Sequence, residues 1–214
     1  MSNTKIGYLG IFSAILAPTL IAPPIIYKVL DIIRQLRLAH KLLESLSQED
    51  YLTGVYNRRH LEETAAKEFS LGMRHKFPVS IMILDIDYFK QTNDTHGHLV
   101  GDQVLVELTQ CIYEMIRETD IFGRYGGEEF ILFMPHTALD DAVMLSERIR
   151  QAIADRKFQS DIDNAKINIT VSVGVASATP KTKTLDDLIL NADLALYRAK
   201  ELGRNRVAVY DDPS

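Results

Sequence analysis

The sequence predicts an α+β domain preceded by an apolar N-terminal segment and a helical linker, and three patterns predict it. Val79 to Ile86 is apolar almost throughout, the mark of a strand covered on both faces and therefore central in a sheet. Ile121-Phe122 and Phe130-Ile131-Leu132-Phe133-Met134 flank Gly126-Gly127. Apolar residues on both sides of two glycines read as a β-hairpin with a tight turn. Around these runs apolar residues recur at helical spacing, most clearly over residues 138–154 and 185–201.

The 214 residues suffice for one domain of ordinary size plus an appendage. Hydrophobic residues make up 46% and charged residues 25%, enough apolar material for a core and too much for a disordered chain. The net charge of −5 and pI of about 5.7 argue against a nucleic-acid partner, whose phosphates call for a basic surface. The single cysteine, Cys111, excludes an internal disulfide and suits a reducing compartment. It falls on an apolar helical face and reads as buried filler. The six histidines are scattered, and no Cys/His cluster suggests zinc.

Residues 1–28 form the first segment. Ile6 to Tyr27 carries no charge and, at about 22 residues, is long enough to cross a bilayer as a helix. Lys5 precedes it, whereas Lys28, Arg34, Arg37 and Lys41 follow. That basic excess places the C-terminal side in the cytoplasm. The expectation is a single-pass anchor in the inner membrane with the main domain in the cytoplasm. Pro18, Pro23 and Pro24 call for a kink or an early exit. A hairpin packed on the following domain is the soluble alternative. A cleaved signal peptide fits less well, for want of a strong basic n-region and a small-x-small cleavage site.

Residues 29–49 form the linker. Ile25, Val29, Ile32, Leu36, Ala39, Leu43 and Leu46 alternate spacings of four and three, a heptad seam with Arg34, Arg37, Lys41 and Glu44 off it. The seam predicts a helix that pairs with a second copy, hence a homodimer. A helix packed on its own domain is the alternative.

Residues 50–214 form the main domain. Asp50 to Arg59 reads as a turn feeding a helix to about Lys76, with Asn57 its N-cap. The strand from Val79 ends in Asp85-Ile86-Asp87. A carboxylate at a buried strand end is costly without a cation. Mg²⁺ takes carboxylates, a backbone carbonyl, waters and substrate phosphates, and Asp85 with the Ile86 carbonyl fits that list. Phe89 to Asp94 reads as a short helical turn. His96 to Asp102 reads as a glycine-punctuated loop into a long helix with Val104, Leu108, Ile112 and Met115 inward. Asn93 and Asp102 have the donors and acceptors to read a guanine edge, and equally serve as cap or turn residues. In the hairpin turn, glycine supplies positive φ and room for close approach. Glu128 and Glu129 are either a solvated surface pair or a pair held together by a cation. If the hairpin pairs with the Asp85 strand, Glu128 comes beside that strand's end. Ile167 to Val175 alternates as a strand. Leu185 to Glu201 is a helix with Leu188, Ala192, Ala195 and Leu196 inward and Gly203 as its C-cap, and Asn205 to Tyr210 closes with a short strand. Lys200 and Arg204 at that helix end either complement its dipole or grip a triphosphate. Arg117 and Asp120 are spaced for an ordinary i,i+3 ion pair.

On these residues the chain resembles the GGDEF family, the diguanylate cyclases. Asp50 to Arg59 is similar to the family's Asp-x-Leu-Thr-Gly…Asn-Arg-Arg block, with Val55 for the commoner leucine. Asp85 to Asp94 matches Asp-x-Asp-x-Phe-Lys-x-x-Asn-Asp, and Gly97 to Asp102 matches Gly-His-x-x-Gly-Asp. The signature stands as Gly-Gly-Glu-Glu-Phe at Gly126 to Phe130. Ala192 to Asn205 matches the closing Ala-Asp-x-Ala-Leu-Tyr-x-Ala-Lys-x-x-Gly-Arg-Asn. Five blocks in order make a specific resemblance.

The resemblance implies a palm-like domain whose central, mostly antiparallel five-stranded sheet is surrounded by helices. It implies condensation of two GTP to cyclic di-GMP and two pyrophosphates, by 3′-hydroxyl attack on the α-phosphate across a domain dimer. Asp85, the Ile86 carbonyl, Glu128 and Glu129 would hold two Mg²⁺, with Mn²⁺ able to substitute. Glu128 would take the proton and Lys90 would stabilise the transferring phosphate. Asn93, His98, Asp102, Gly126, Gly127, Lys200 and Arg204 would bind GTP. Arg117 and Asp120, five residues before Gly126, would bind cyclic di-GMP as an inhibitor, with Arg148 supplied from a neighbouring domain. The rival reading is a catalytically silent module that binds GTP or cyclic di-GMP.

Overall fold

The computed structural model describes residues 23–37, 47–159 and 166–211. The chain divides into two compact units, residues 1–47 and 48–214. In the first, helix α1 covers residues 23–37. Ile25, Val29, Ile32 and Leu36 of the predicted seam are exposed on it, none less than 48%. Ala39, Leu43 and Leu46 lie outside the described residues, as does most of the expected membrane span from Ile6 to Tyr27. Among the described residues no helix is long and apolar enough to cross a membrane.

The second unit opens with β1 (Tyr56–Asn57) and α2 (Arg58–His75), followed by β2 (Val79–Ile86), α3 (Phe89–His96) and α4 (His98–Tyr113). Then come β3 (Ile121–Arg124), β4 (Glu129–Pro135), α5 (Leu139–Asp155), β5 (Phe158–Gln159) and β6 (Lys166–Ile167). The unit closes with β7 (Val171–Ser177), α6 (Leu185–Glu201) and β8 (Val207–Val209). The Asn57 side chain accepts from the His60 N–H at 2.9 Å, so the expected N-cap of α2 forms. Thr184 and Asp187 build a capping box at the start of α6.

The main sheet runs β1-β3-β4-β2-β7-β8. The inner pairings are antiparallel, while β1 pairs with β3, and β8 with β7, in parallel. It therefore has six strands where five were expected, the extra one being the two-residue β1. A separate ribbon pairs β5 with β6. The strand expected from Ile167 to Val175 is broken. Lys166–Ile167 belongs to the ribbon, and only from Val171 does the chain join the main sheet. The expected alternation also fails in β7, which is buried on both faces because it lies between two neighbours and under two helices.

Alternate residues of β2 build two cores. Met82, Leu84 and Ile86 pack with Val104, Leu105 and Leu108 of α4 and Ile149 and Ile153 of α5. Val79, Ile81 and Ile83 pack with Leu61, Ala65 and Phe69 of α2 and Leu188, Ala192 and Leu196 of α6. The odd-numbered row therefore faces α6, and Asp85 continues that row. β7 approaches α6 closely at Gly174, where a Cβ would collide with the Ala192 carbonyl and the Leu196 backbone N. Cys111 is buried, as expected.

Candidate active site

Asp85 and Glu129 are register partners between β2 and β4, and the Ile86 N–H donates to the Glu128 carbonyl at 3.4 Å. The hairpin turn thus sits at the C-terminal end of the central strand. Its shape is fixed from inside and outside. The N–H groups of Tyr125 and Gly126 both donate to the Glu129 carbonyl, at 2.8 and 3.2 Å. The Arg124 guanidinium donates twice to the Gly127 carbonyl, at 3.1 and 2.7 Å, and once to Asp50 at 3.1 Å. Asp50 in turn accepts from the Thr53 N–H and hydroxyl at 3.0 and 2.6 Å.

The glycines do not act as expected. Neither Gly126 nor Gly127 occupies the left-handed region. What Gly126 provides is room, since a Cβ there would lie 2.8 Å from Glu129 Oε2. Glu129 folds back over Gly126 and lines a cavity of about 390 Å³ with Ile83, Tyr125, Asp186, Ile189, Leu190 and Asp193. Of the three expected metal-binding side chains, Asp85 and Glu128 share one locality and Glu129 turns away. Among the described residues no three Asp, Glu, His or Cys side chains converge as a metal-holding group.

Lys200 Nζ, expected on terminal phosphates, lies 2.8 Å from Asp85 Oδ2 as an ion pair. Burial pushes the Asp85 carboxyl above its ordinary pKa, and Lys200 pulls against that. Burial also raises Glu128, and the neighbouring charge of Asp85 adds to the rise.

The residues expected to contact nucleotide come next along the chain. Lys90 is exposed in the first turn of α3. Asn93 lies one turn on, with Oδ1 buried and lacking a hydrogen-bond partner. The expected loop to Asp102 is mostly helix: only Gly97, at φ 86°, separates α3 from α4. His98 is exposed at the start of α4, and Asp102 is half-buried within it. Gly101 is packed against Asn93, where a Cβ would fall 2.9 Å from Cγ. Beyond α6, Gly203 at φ 108° follows Leu202 as the cap. Arg204 lies with its guanidinium 4.6 Å over the Tyr88 ring.

The three residues expected to bind an inhibitor line one cavity of about 320 Å³ with Met115, Met134, Thr137 and others. Arg148 Nη2 donates to the Met115 carbonyl at 2.9 Å, so it reaches the cavity from this same domain. The Asp120 carboxylate accepts from the Arg117 backbone N–H at 2.9 Å. Burial raises Asp120 above its ordinary pKa, with that bond pulling the other way.

Sequence reasoning missed two anchors. Arg124 carries no signal in the sequence beyond its place before the turn, yet it ties the turn to Asp50. Asp87 was read only as part of a strand end, yet it is buried among three donors: the Thr170 and Ser172 hydroxyls and the Asn205 N–H. Its one sequence signal was a second carboxylate directly after a fully buried strand.

Residues 47–206 match the family described as "Diguanylate cyclase, GGDEF domain". The chain is 38% identical over 167 residues to the probable diguanylate cyclase DgcC of Escherichia coli, covering 78% of this chain and 44% of DgcC. Among solved structures, the GGDEF domain of DgcB from Caulobacter crescentus, in complex with c-di-GMP, is similar at 32% identity and a TM-score of 0.74. That likeness covers 77% of this chain and 96% of the other. The active GGEEF domain of a diguanylate cyclase from Vibrio cholerae is similar at 36% identity and a TM-score of 0.68, covering 73% and 98%. The chain spans less than half the length of the curated relatives it matches first. The match over residues 47–206, with the fold to go with it, places the chain in the GGDEF diguanylate cyclase family.

Proposed function

We propose that this chain is a diguanylate cyclase, joining two GTP into cyclic di-GMP and releasing two pyrophosphates. The observation that carries the reading is the β2–β4 register, which sets Asp85 against the Glu128–Glu129 turn inside the family-matched residues. Asp85, the Ile86 carbonyl and Glu128 are hard oxygen donors of the kind Mg²⁺ takes. Two carboxylates that burial disfavours as anions, Glu128 further disfavoured by the charge of Asp85 and Asp85 by that of Asp87, suit a divalent cation. Bound there, with Glu129 swung back from its place over Gly126 to help hold the second of two ions, Mg²⁺ or Mn²⁺ would activate the attacking 3′-hydroxyl and stabilise the leaving pyrophosphate.

The chain's own groups do the rest. Glu128 accepts the proton of the 3′-hydroxyl. Lys90 neutralises charge on the transferring phosphate. Guanine N–H groups supply the donor that Asn93 Oδ1 lacks, and Asp102 accepts from the same edge with His98 nearby. Gly126 and Gly127 let the phosphates approach the turn. Lys200 and Arg204 take the terminal phosphates, Lys200 exchanging the Asp85 carboxylate for them.

Each domain holds one GTP, so turnover needs a second copy. The exposed apolar seam of α1 supports a homodimer, which raises the effective concentration of the facing domain. Arg117, Asp120 and Arg148 form a product-inhibition site for cyclic di-GMP, the guanidiniums matching phosphate in a planar fork. Residues 6–27 anchor the chain in the inner membrane with residues 50–214 in the cytoplasm. Alkaline carbonate washing should then leave the chain in the membrane pellet, and recovery in the supernatant would refute the anchor.

Purified protein incubated with GTP and Mg²⁺, its products resolved by chromatography, tests the activity. Cyclic di-GMP with matching pyrophosphate is the expected result. GTP binding without product would favour the silent module.

A further inference from the structure

No step of the proposed reaction uses Asp87, although it is as buried as the core around it. One carboxylate oxygen accepts from the Ser172 hydroxyl at 2.7 Å. The other accepts from the Thr170 hydroxyl at 2.7 Å and from the backbone N–H of Asn205 at 3.0 Å. A buried carboxylate is retained where its hydrogen bonds are filled, and here one of them reaches the turn after α6.

That turn is held in an unfavourable conformation. Arg204 and Asn205 have φ of 62° and 45°, in the left-handed region that non-glycine residues rarely occupy. Such a pair persists only where the surroundings over-determine it. Asp87 holds the Asn205 N–H, Arg150 Nη1 holds Asn205 Oδ1 at 2.7 Å, and the Val173 N–H holds the Arg206 carbonyl at 2.9 Å. The side chain so presented is Arg204. Its guanidinium stacks on Tyr88 and donates to the Tyr88 hydroxyl at 3.4 Å. Tyr88 is itself at φ 56°, next to Asp87.

We propose that Asp87 and Tyr88 are positioning residues for Arg204, one fixing its backbone and the other its guanidinium, and that together they set a preference for nucleoside triphosphate over diphosphate. The proposal rests on the GTP reading given above. It goes beyond that reading by assigning the terminal-phosphate contact to a strained turn clasped from the far side of the strand end.

The test measures binding of 3′-deoxy-GTP, which lacks the attacking hydroxyl, and of GDP, both with Mg²⁺, by calorimetry on the full chain. Asp87→Asn should weaken 3′-deoxy-GTP about tenfold, the scale of one misaligned hydrogen bond to a charged group, and leave GDP nearly unchanged. Tyr88→Asn, which suits the left-handed backbone but lacks the ring, should cost about threefold for the triphosphate alone. In an Arg204→Ala background neither substitution should weaken binding further, because both act through that residue. Equal losses for both nucleotides, additive losses with Arg204→Ala, or no loss would each overturn the proposal. If Asp87→Asn fails to fold, the Tyr88 variants decide, since Tyr88 is 61% exposed and carries little of the core. Failure of the unmodified chain to bind 3′-deoxy-GTP would overturn the GTP reading itself, and the positioning role with it.

Discussion

Gly101→Ala separates folding from nucleotide recognition at one atom. Gly101 lies in α4, where alanine is favoured over glycine by about 1 kcal/mol. The new Cβ, however, would lie 2.9 Å from Asn93 Cγ, nearer still to Asn93 Oδ1, and 3.3 Å from Phe89 Cζ. Atoms in ordinary contact sit about 3.5–4.0 Å apart, and the amide oxygen is the nearest, so the Asn93 amide must move by more than about 1 Å. It is the end of a side chain and can rotate, at about 0.5–1.5 kcal/mol for leaving its preferred torsion. The helix gain and the rotamer cost nearly cancel. Stability should change by no more than about 1 kcal/mol, or ~2–4 °C in Tm for a chain of this size. Recognition should change far more, because the displaced amide is the group assigned to guanine. Loss of one or two hydrogen bonds to it should raise the KM for GTP by about tenfold or more. Thermal melting and initial rates against GTP concentration test both halves. A KM within about twofold of the unmodified chain would refute the assignment of Asn93. A collapse in Tm would refute the view that its side chain gives way.

Asp85→Asn or Glu128→Gln should abolish turnover with the fold intact; residual rate within about tenfold of normal, ~1.4 kcal/mol of barrier, would sink the metal site. Arg117→Ala should relieve inhibition by added cyclic di-GMP, read as the initial rate against inhibitor concentration, and unchanged inhibition would rule the cavity out. Gly174→Ala should destabilise the domain by about 3 kcal/mol or more in urea melts, because the obstacle is the backbone of α6 and cannot rotate away; a loss below about 1 kcal/mol would contradict that packing. Burial tends to raise the pKa of Asp50, but the Thr53 hydroxyl and N–H and the Arg124 guanidinium outweigh it and hold it below the ordinary 3.8. A depressed carboxylate stabilises the fold above its unfolded pKa and loses that contribution as pH falls through the folded one. The stability gap between the unmodified chain and Asp50→Asn should therefore be full at neutral pH and shrink below about pH 3.8; a gap that persists at pH 2 would refute the assignment.

What the sequence disclosed and what it hid divide along physical lines. β2 was legible because eight consecutive buried positions leave a run that is apolar but for Ser80 and Asp85. Leu185 to Glu201 was legible to the residue because its periodicity ends at a capping threonine and a glycine. The site carboxylates were legible because charge at a buried strand end violates that pattern. The break before β7 was hidden, since Asn168 and Thr170 continue an alternating pattern whether or not the backbone pairs. Gly101 was read as loop because glycine marks turns more often than close packing, and only the fold brings Asn93 against it. Long-range anchors such as Asp50–Arg124 and Asp87–Asn205 leave no local period at all, being 74 and 118 residues apart.

These anchors explain how a surface turn can present the groups proposed for catalysis. Glycines at positions 126 and 127 make the turn permissive, and a permissive turn would sample many shapes. Arg124 removes that freedom by taking the Gly127 carbonyl with two donors and Asp50 with a third. Asp50 is in turn fixed to Thr53, and its N–H donates to the Val55 carbonyl at 2.7 Å. The first residues of the domain and the turn bearing Glu128 are thus two ends of one guanidinium. On the far side of the strand end Asp87 restrains Arg204 in the same manner. The groups that would meet metal and phosphate therefore lie between two carboxylates that meet neither, Asp87 buried and Asp50 half-buried. Each of those carboxylates restrains a turn whose own sequence would leave it loose.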